Sequence, residues 1–205
     1  MHKMTVIFTT GYAGSGKTTV GIMIAKILHE EWENNEYLKN TYKSGLTTTM
    51  AFGDKVKTMV YDLCKLFDIP ITGVNALYDV NTKNLYRRYM QQVGTEICQS
   101  IFGKQCWCYA IEDDIKHNLE VYPFIIISDL RFEHEYKYFK DNFSNVNTIV
   151  INVVKDDVDN TYANHSSEQE FKHIPADITI QNNGTIDDLH ENVKDLCQKM
   201  LISMC

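Results

Sequence analysis

The chain is poor in several things that would each have pointed somewhere. It has 3 prolines and 2 tryptophans in 205 residues. Its arginines are Arg87, Arg88 and Arg131 alone. No apolar run approaches the ~20 residues of a bilayer-spanning helix, so no transmembrane segment and no membrane partner is expected. Net basic charge is missing too: at −7 the chain lacks the broad electrostatic footprint of a nucleic-acid binder. Zinc spacing is absent, because Cys106 and Cys108 form C-x-C and no second pair follows. The six cysteines therefore read as reduced, buried or incidental thiols. The start, Met1-His2-Lys3-Met4, shows no secretory leader, so a cytoplasmic location is expected. Without secretion the N-x-S/T triplets at Asn142, Asn164 and Asn183 carry no meaning. There is no internal repeat, low-complexity tract or clear linker, and the length fits a single domain over residues 1–205.

What is present begins near the start. Gly11-Tyr12-Ala13-Gly14-Ser15-Gly16-Lys17-Thr18 fits G-x-x-x-x-G-K-S/T, a phosphate-binding loop. Before it, Thr5-Val6-Ile7-Phe8-Thr9 is short, apolar and β-branched, as in a buried strand. After it, Val20, Ile24, Ile27, Leu28 and Trp32 recur at helical spacing, which predicts a helix from about Lys17 to Asn34. Strand, loop and helix start are the context the motif requires. Glycines let a loop wrap phosphates at positive φ. The backbone N–H groups opening the helix face the anion, and the helix dipole favours it. Gly14, Ser15, Gly16, Lys17, Thr18 and Thr19 are therefore the expected ATP-binding residues, with Lys17 reaching the β- and γ-phosphates and the Thr18 hydroxyl available to Mg²⁺.

Further along, residues 36–47 read as a polar connection and Thr47–Phe52 as a second strand. Asp54 is the expected N-cap of a helix striped by Val56, Met59, Val60, Leu63, Leu66 and Phe67, which ends before Pro70. A loop over 68–82 gives way to a helix from Asn84, and another helix is predicted over Cys106–Leu119. Pro123–Asp129 is a continuous apolar run ending in an acid, the signature of a buried parallel strand. A helix over Glu133–Phe139, strands over Thr148–Val154 and Asp177–Ile180, and a last helix after Asn182-Asn183-Gly184-Thr185 complete the pattern. Residues 155–173 read as a short lid. Alternating strands and helices predict an α/β fold of three layers, with a parallel central sheet and helices on both faces. Such sheets bind ligands beyond the carboxyl ends of their strands, where the glycine loop, Asp129 and Lys155 would gather.

Asp129 supplies the acidic group a metal beside Thr18 needs, although a strand-end aspartate can simply cap the next turn. Arg131 follows two residues later. Guanidinium forks match phosphate oxygens bidentately, and neighbouring Arg87 and Arg88 diverge by ~100° on a helix, so one of them can be a plain surface residue.

These stretches together resemble the phage-type deoxynucleoside monophosphate kinases, a branch of the P-loop nucleoside monophosphate kinases. The likeness rests on Gly11–Thr18, on Arg87-Arg88-x-x-Gln91-x-x-Gly94-Thr95-Glu96, on Trp107, and on Asp129-x-Arg131-Phe132-x-x-Glu135. His165-x-Ser167-Glu168 and Asn182–Thr185 add to it. The resemblance implies a P-loop kinase fold, with transfer of the γ-phosphoryl of ATP to a deoxynucleoside 5′-monophosphate and an acceptor-binding region over about 53–122. It implies that Arg87, Arg88, Gln91, Gly94, Thr95, Trp107, Asp129, Arg131 and Glu135 surround the acceptor. Lys17, Arg131 and Asp129 would carry the chemistry, and Thr18 and Asp129 the Mg²⁺. Trp107 would offer a flat face to the acceptor base, the other reading being a core tryptophan. Gln99 stands where relatives commonly have a basic residue, and the lid has Lys155 and Lys172 but no arginine. The partners implied are ATP and deoxynucleoside monophosphates, with a homodimer compatible.

Other P-loop classes fit less well. An Asn-Lys-x-Asp guanine signature is absent, and Leu130, not glutamate, follows Asp129, unlike motor ATPases and helicases. A small-metabolite kinase, or a nucleotide-binding protein without turnover, remains the alternative. The skew toward Asn, Lys, Tyr and Ile fits an AT-rich coding genome, and a viral source is the corresponding expectation.

Overall fold

The computed structural model describes residues 4–158 and 169–202. Among them, the chain divides into two compact units, Met1–Met50 with Asp114–Cys205, and Ala51–Asp113.

The first unit is built on a five-stranded sheet. β1 (Thr5–Thr10) lies at its centre, flanked by β3 (Phe124–Ile127) and β4 (Asn147–Val154), with β2 (Thr47–Met50) and β5 (Ile178–Gln181) outside them. The order is β2-β3-β1-β4-β5 and every pairing is parallel. Register places Ile7 beside Ile126 and Phe8 beside Ile127. Alternation then divides the sheet into two apolar faces. Ile7, Ile126, Ile151, Val153 and Ile180 pack against α1 (Lys17–Glu33) and α8 (Ile186–Ile202), through Val20, Ile24, Leu28, Leu189 and Val193. On the opposite face Phe8 meets Phe139 of α7 (Glu133–Asn142) edge-on, with ring centroids 5.1 Å apart. Both faces are covered, so the strands can be continuously apolar. The result is a three-layer α/β architecture.

The second unit is helical. It holds α3 (Phe52–Leu66), a 3-10 turn (Val74–Tyr78), and α4 (Val80–Gln91). A π-helical turn (Gln92–Ile97) and α5 (Cys98–Phe102) follow, then the start of α6 (Cys106–Val121).

Local sequence explains where boundaries differ from expectation. A short helix, α2 (Glu36–Thr41), occupies part of the stretch read as a connection. Asn35 caps it, accepting from the amides of Tyr37 and Leu38. Six residues with none buried leave no apolar period to read. β2 ends at Met50 because Phe52 already belongs to α3, capped at Ala51 and not at Asp54. The Asp54 carboxylate instead bonds Lys57 and the Tyr78 hydroxyl, each at 2.8 Å. α4 starts at Val80, not Asn84, since Asp79 accepts from the Thr82 amide. Of the expected lid, 155–158 and 169–173 are described, the latter containing a 3-10 turn (Glu170–His173), while 159–168, with His165, Ser167 and Glu168, lie outside the described residues. No helix among the described residues is long and apolar enough to cross a membrane.

Ile126 is fully buried at the centre of the sheet, whereas Leu66 is 71% exposed. Ile126→Ala should cost about 2–5 kcal/mol. Leu66→Ala should stay within about 0.5 kcal/mol of wild type. Urea denaturation of both variants checks the assignment, and equal losses would refute the core described above.

Candidate nucleotide site

The carboxyl edge of the sheet is organised by the link between β1 and α1. Gly11 and Gly16 sit at φ 135° and 100°. A β-carbon on Gly11 would collide with the Val153 carbonyl, and one on Gly16 with the Asn182 amide. Only glycine meets both conditions. Gly16 caps α1, so the helix N-terminus opens directly from the loop. Asn182, following β5, donates its side-chain amide to the Ser15 carbonyl at 2.8 Å and so fixes the loop from outside. The Ser15 hydroxyl is buried and has no hydrogen-bond partner among the described residues. Lys17 is 7% exposed, and its ammonium donates to the Gly11 and Tyr12 carbonyls at 2.8 and 2.5 Å. Thr18 and Thr19 are exposed on the first turn of α1.

A second set of bonds ties the turn after β3 to the same strand end. The Leu130 amide donates to the Thr9 carbonyl at 3.1 Å. The Thr10 hydroxyl donates to the Leu130 carbonyl at 2.8 Å. Leu130 is fully buried, so the half-buried Asp129 and Arg131 flank a residue fastened one position before Gly11. Glu135 completes the turn from the third position of α7. Its Oε2 accepts from the Arg131 and Phe132 amides, each at 3.0 Å. This is the side-chain-to-cap half of a capping box, here with a carboxyl only 3% exposed. Burial pushes the Glu135 carboxyl up to about 8; the two amide bonds and Arg131 pull it down and Asp129 adds to the rise, but desolvation is largest.

The expected site residues thus fall into two groups. Gly14 to Thr19, Asp129, Arg131 and Glu135 lie in the first unit, with Glu135 engaged by backbone. Arg87, Arg88, Gln91, Gly94, Thr95 and Trp107 lie in the second. There Arg87 is half-buried and Arg88 exposed, as divergence on a helix requires. Gly94 and Thr95 belong to the π-turn. Trp107 is 7% exposed, and its indole N–H donates to the Gly94 carbonyl at 2.6 Å. The ring borders an open groove of about 460 Å³ with Met59, Leu63 and Leu66.

Two features escaped sequence reasoning. Asn182 was visible only as part of a motif, and nothing in its spacing announced a bond to Ser15. Lys172 lies 5.2 Å over the Tyr12 ring, which also meets Phe171 edge-on at 4.9 Å, so the turn Glu170–His173 adjoins the glycine loop.

The Glu135 carboxyl, near 8 when folded and 4.5 when unfolded, binds more protons in the folded state between those values. Its contribution to stability is present in full below pH 4.5 and is lost as pH rises through 8. Glu135→Gln keeps a carbonyl acceptor and cannot ionise. Thermal midpoints should therefore fall less from pH 5 to pH 8.5 in Glu135→Gln than in wild type. Parallel profiles would mean the carboxyl is already ionised at low pH.

Comparison with known proteins completes the picture. Among solved structures, a mutant of the Mycobacterium tuberculosis APS kinase CysC aligns over 97% of this chain and 99% of its own, at 13% identity and a TM-score of 0.40. The same enzyme in complex with AMPPNP and APS aligns over the same shares at 12% identity and a TM-score of 0.43. A protein described as APE1195 aligns over 98% of both chains at 14% identity and a TM-score of 0.44. No curated protein sequence matches the chain. The family model "Deoxynucleotide monophosphate kinase" matches residues 37–193, a range that begins after the glycine loop, so loop and match rest on different residues. With most of its length matched, the chain belongs to the deoxynucleotide monophosphate kinase family.

Proposed function

We propose that the protein transfers the γ-phosphoryl group of ATP to deoxynucleoside 5′-monophosphates, giving the diphosphates and ADP. The observation that carries this reading is the glycine loop on the opening turn of α1, in a chain whose residues 37–193 match the deoxynucleotide monophosphate kinase model. The unpartnered, buried Ser15 hydroxyl supports it, as a polar atom suited to a phosphate oxygen.

The chemistry asks little of general acids or bases. The acceptor is a phosphate whose second pKa lies near 6, so its oxygen is largely ionised at neutral pH. The requirement is to bring two anions into line and spread the developing charge. In this reading the loop amides and Lys17 hold the β- and γ-phosphates of ATP. Arg131 takes the acceptor phosphate with a planar fork that lysine cannot reproduce. Arg87, Gln91 and Thr95 contact the acceptor nucleotide, and Arg88, more exposed, contributes less.

Mg²⁺ fits the donor set. Thr18 and Asp129 are oxygen ligands, and magnesium keeps several waters and substrate oxygens beside one or two protein ligands. Among the described residues no group of three or more His, Cys, Asp or Glu is placed to form a denser metal cage. Thr18 and Asp129 would hold the ion, which would supply charge neutralisation for the donor phosphates.

A coupled ADP-release assay over the common dNMPs and NMPs tests the reading. Release that depends on a dNMP is expected; release without acceptor would mean an ATPase, and none a binding protein. Lys17→Ala should lower turnover on the order of 10²-fold or more while circular dichroism stays native. Arg131→Lys should raise the dNMP KM or lower kcat with ATP affinity by calorimetry unchanged. Weakened ATP binding with normal dNMP kinetics would move Arg131 to the donor side. Asp129→Asn should lower kcat and shift the Mg²⁺ titration; a raised dNMP KM with an unchanged titration would make Asp129 an acceptor ligand instead.

A further inference from the structure

The helical run from Val80 to Phe102 is interrupted by the π-turn Gln92–Ile97. The Cys98 amide bonds the Val93 carbonyl, five residues back, so it does not reach Gly94 as an α-helix would have it do. A π-turn inserts one residue, advancing everything after it by about 100° relative to an unbroken α-helix. Such turns are less stable than α-helix and persist where the surroundings impose them, frequently at functional sites.

Here the surroundings are identifiable. From α6 the Trp107 indole donates to the Gly94 carbonyl. From α3, Val56 methyls lie 3.3 and 3.4 Å from where a β-carbon of Gly94 would stand, so glycine is what lets α3 approach. Cys98 Sγ meets Met59 Sδ at 3.5 Å on the next turn. Of these contacts the indole bond is the one made to the backbone of the π-turn itself. Trp107 is 7% exposed, so most of the residue is packed and only its edge of the groove is open.

We propose that Trp107 is a positioning residue for acceptor recognition, its indole N–H holding the π-turn at Gly94 and thereby setting the direction of Thr95. The inference rests on the acceptor reading above and changes the part Trp107 plays in it: the N–H, not the ring face, is what the enzyme uses.

Two variants separate N–H from ring. Trp107→Phe keeps an aromatic ring without the donor. Replacement of Trp107 by 3-benzothienylalanine through codon suppression keeps the bicyclic outline, with sulfur in place of N–H, and preserves packing should Trp107→Phe fail to fold. Both should raise the dNMP KM at least tenfold, with the ATP KM within twofold of wild type. A benzothienyl variant with wild-type dNMP KM would overturn the proposal and restore ring stacking. A lowered thermal midpoint with unchanged dNMP KM would also overturn it, leaving Trp107 a core residue. Wild-type enzyme with no dNMP-dependent ADP release would overturn the acceptor reading itself, and that failure is visible before any variant is made.

Discussion

The carboxyl edge of the sheet is organised by one steric constraint, the close approach of the glycine loop to the backbone ending β4 and to the Asn182 side chain after β5. Gly11 lies against the Val153 carbonyl of β4, and Gly16 against the Asn182 side chain beyond β5. At Gly11 the loop is therefore wedged against strand backbone that cannot shift without moving the sheet, and at Gly16 against a side chain. Parallel pairing of β1 with both β3 and β4 brings the Leu130 and Val153 segments to the same strand end. Pre-organisation of this kind is what anion recognition by backbone requires, since donors that must reorganise lose much of their worth.

Electrostatics at the neighbouring turn follows from the same economy of space. Glu135 gives two backbone amides a partner in a buried place, and its burial pushes its carboxyl up to about 8. A neutral carboxyl there leaves Arg131 and Asp129 as the charged groups on the turn. The buried acid and the half-buried Arg131 are joined through that residue's backbone amide.

Much of this was legible in the sequence, for reasons that differ by residue. The run Phe124–Ile127 reads as a central strand because both faces of the sheet are covered. The glycine loop is legible because its conformation admits few residue types. Asp129 is expected on the loop's edge because both follow the carboxyl end of a strand, and Arg131 because it comes two residues later. What resisted was whatever depends on distant partners. α2 has no buried residue and is held by a cap and by the Trp32 indole bonded to the Tyr42 carbonyl. Asp54 looks like an N-cap until Lys57 and Tyr78 are seen to occupy it. The π-turn leaves no mark in periodicity, because one extra residue in a helix resembles ordinary scatter in an apolar stripe. Trp107 and Glu135 were picked as ligand contacts by resemblance, and their hydrogen bonds go to backbone.

The sheet's two outer strands, β2 and β5, are four residues each, against six and eight in β1 and β4. An outer strand offers unpaired amides and carbonyls to any other chain that meets it. Four residues give few such groups, and β2 presents three threonines in a row, not a stripe of large apolar side chains. The fully buried strands β1 and β3, which would be the adhesive ones in a partly folded chain, each lie between two others. The order β2-β3-β1-β4-β5 thus makes the molecule a poor template for sheet extension, so that its most aggregation-prone segments stay out of reach of other copies once the centre has formed.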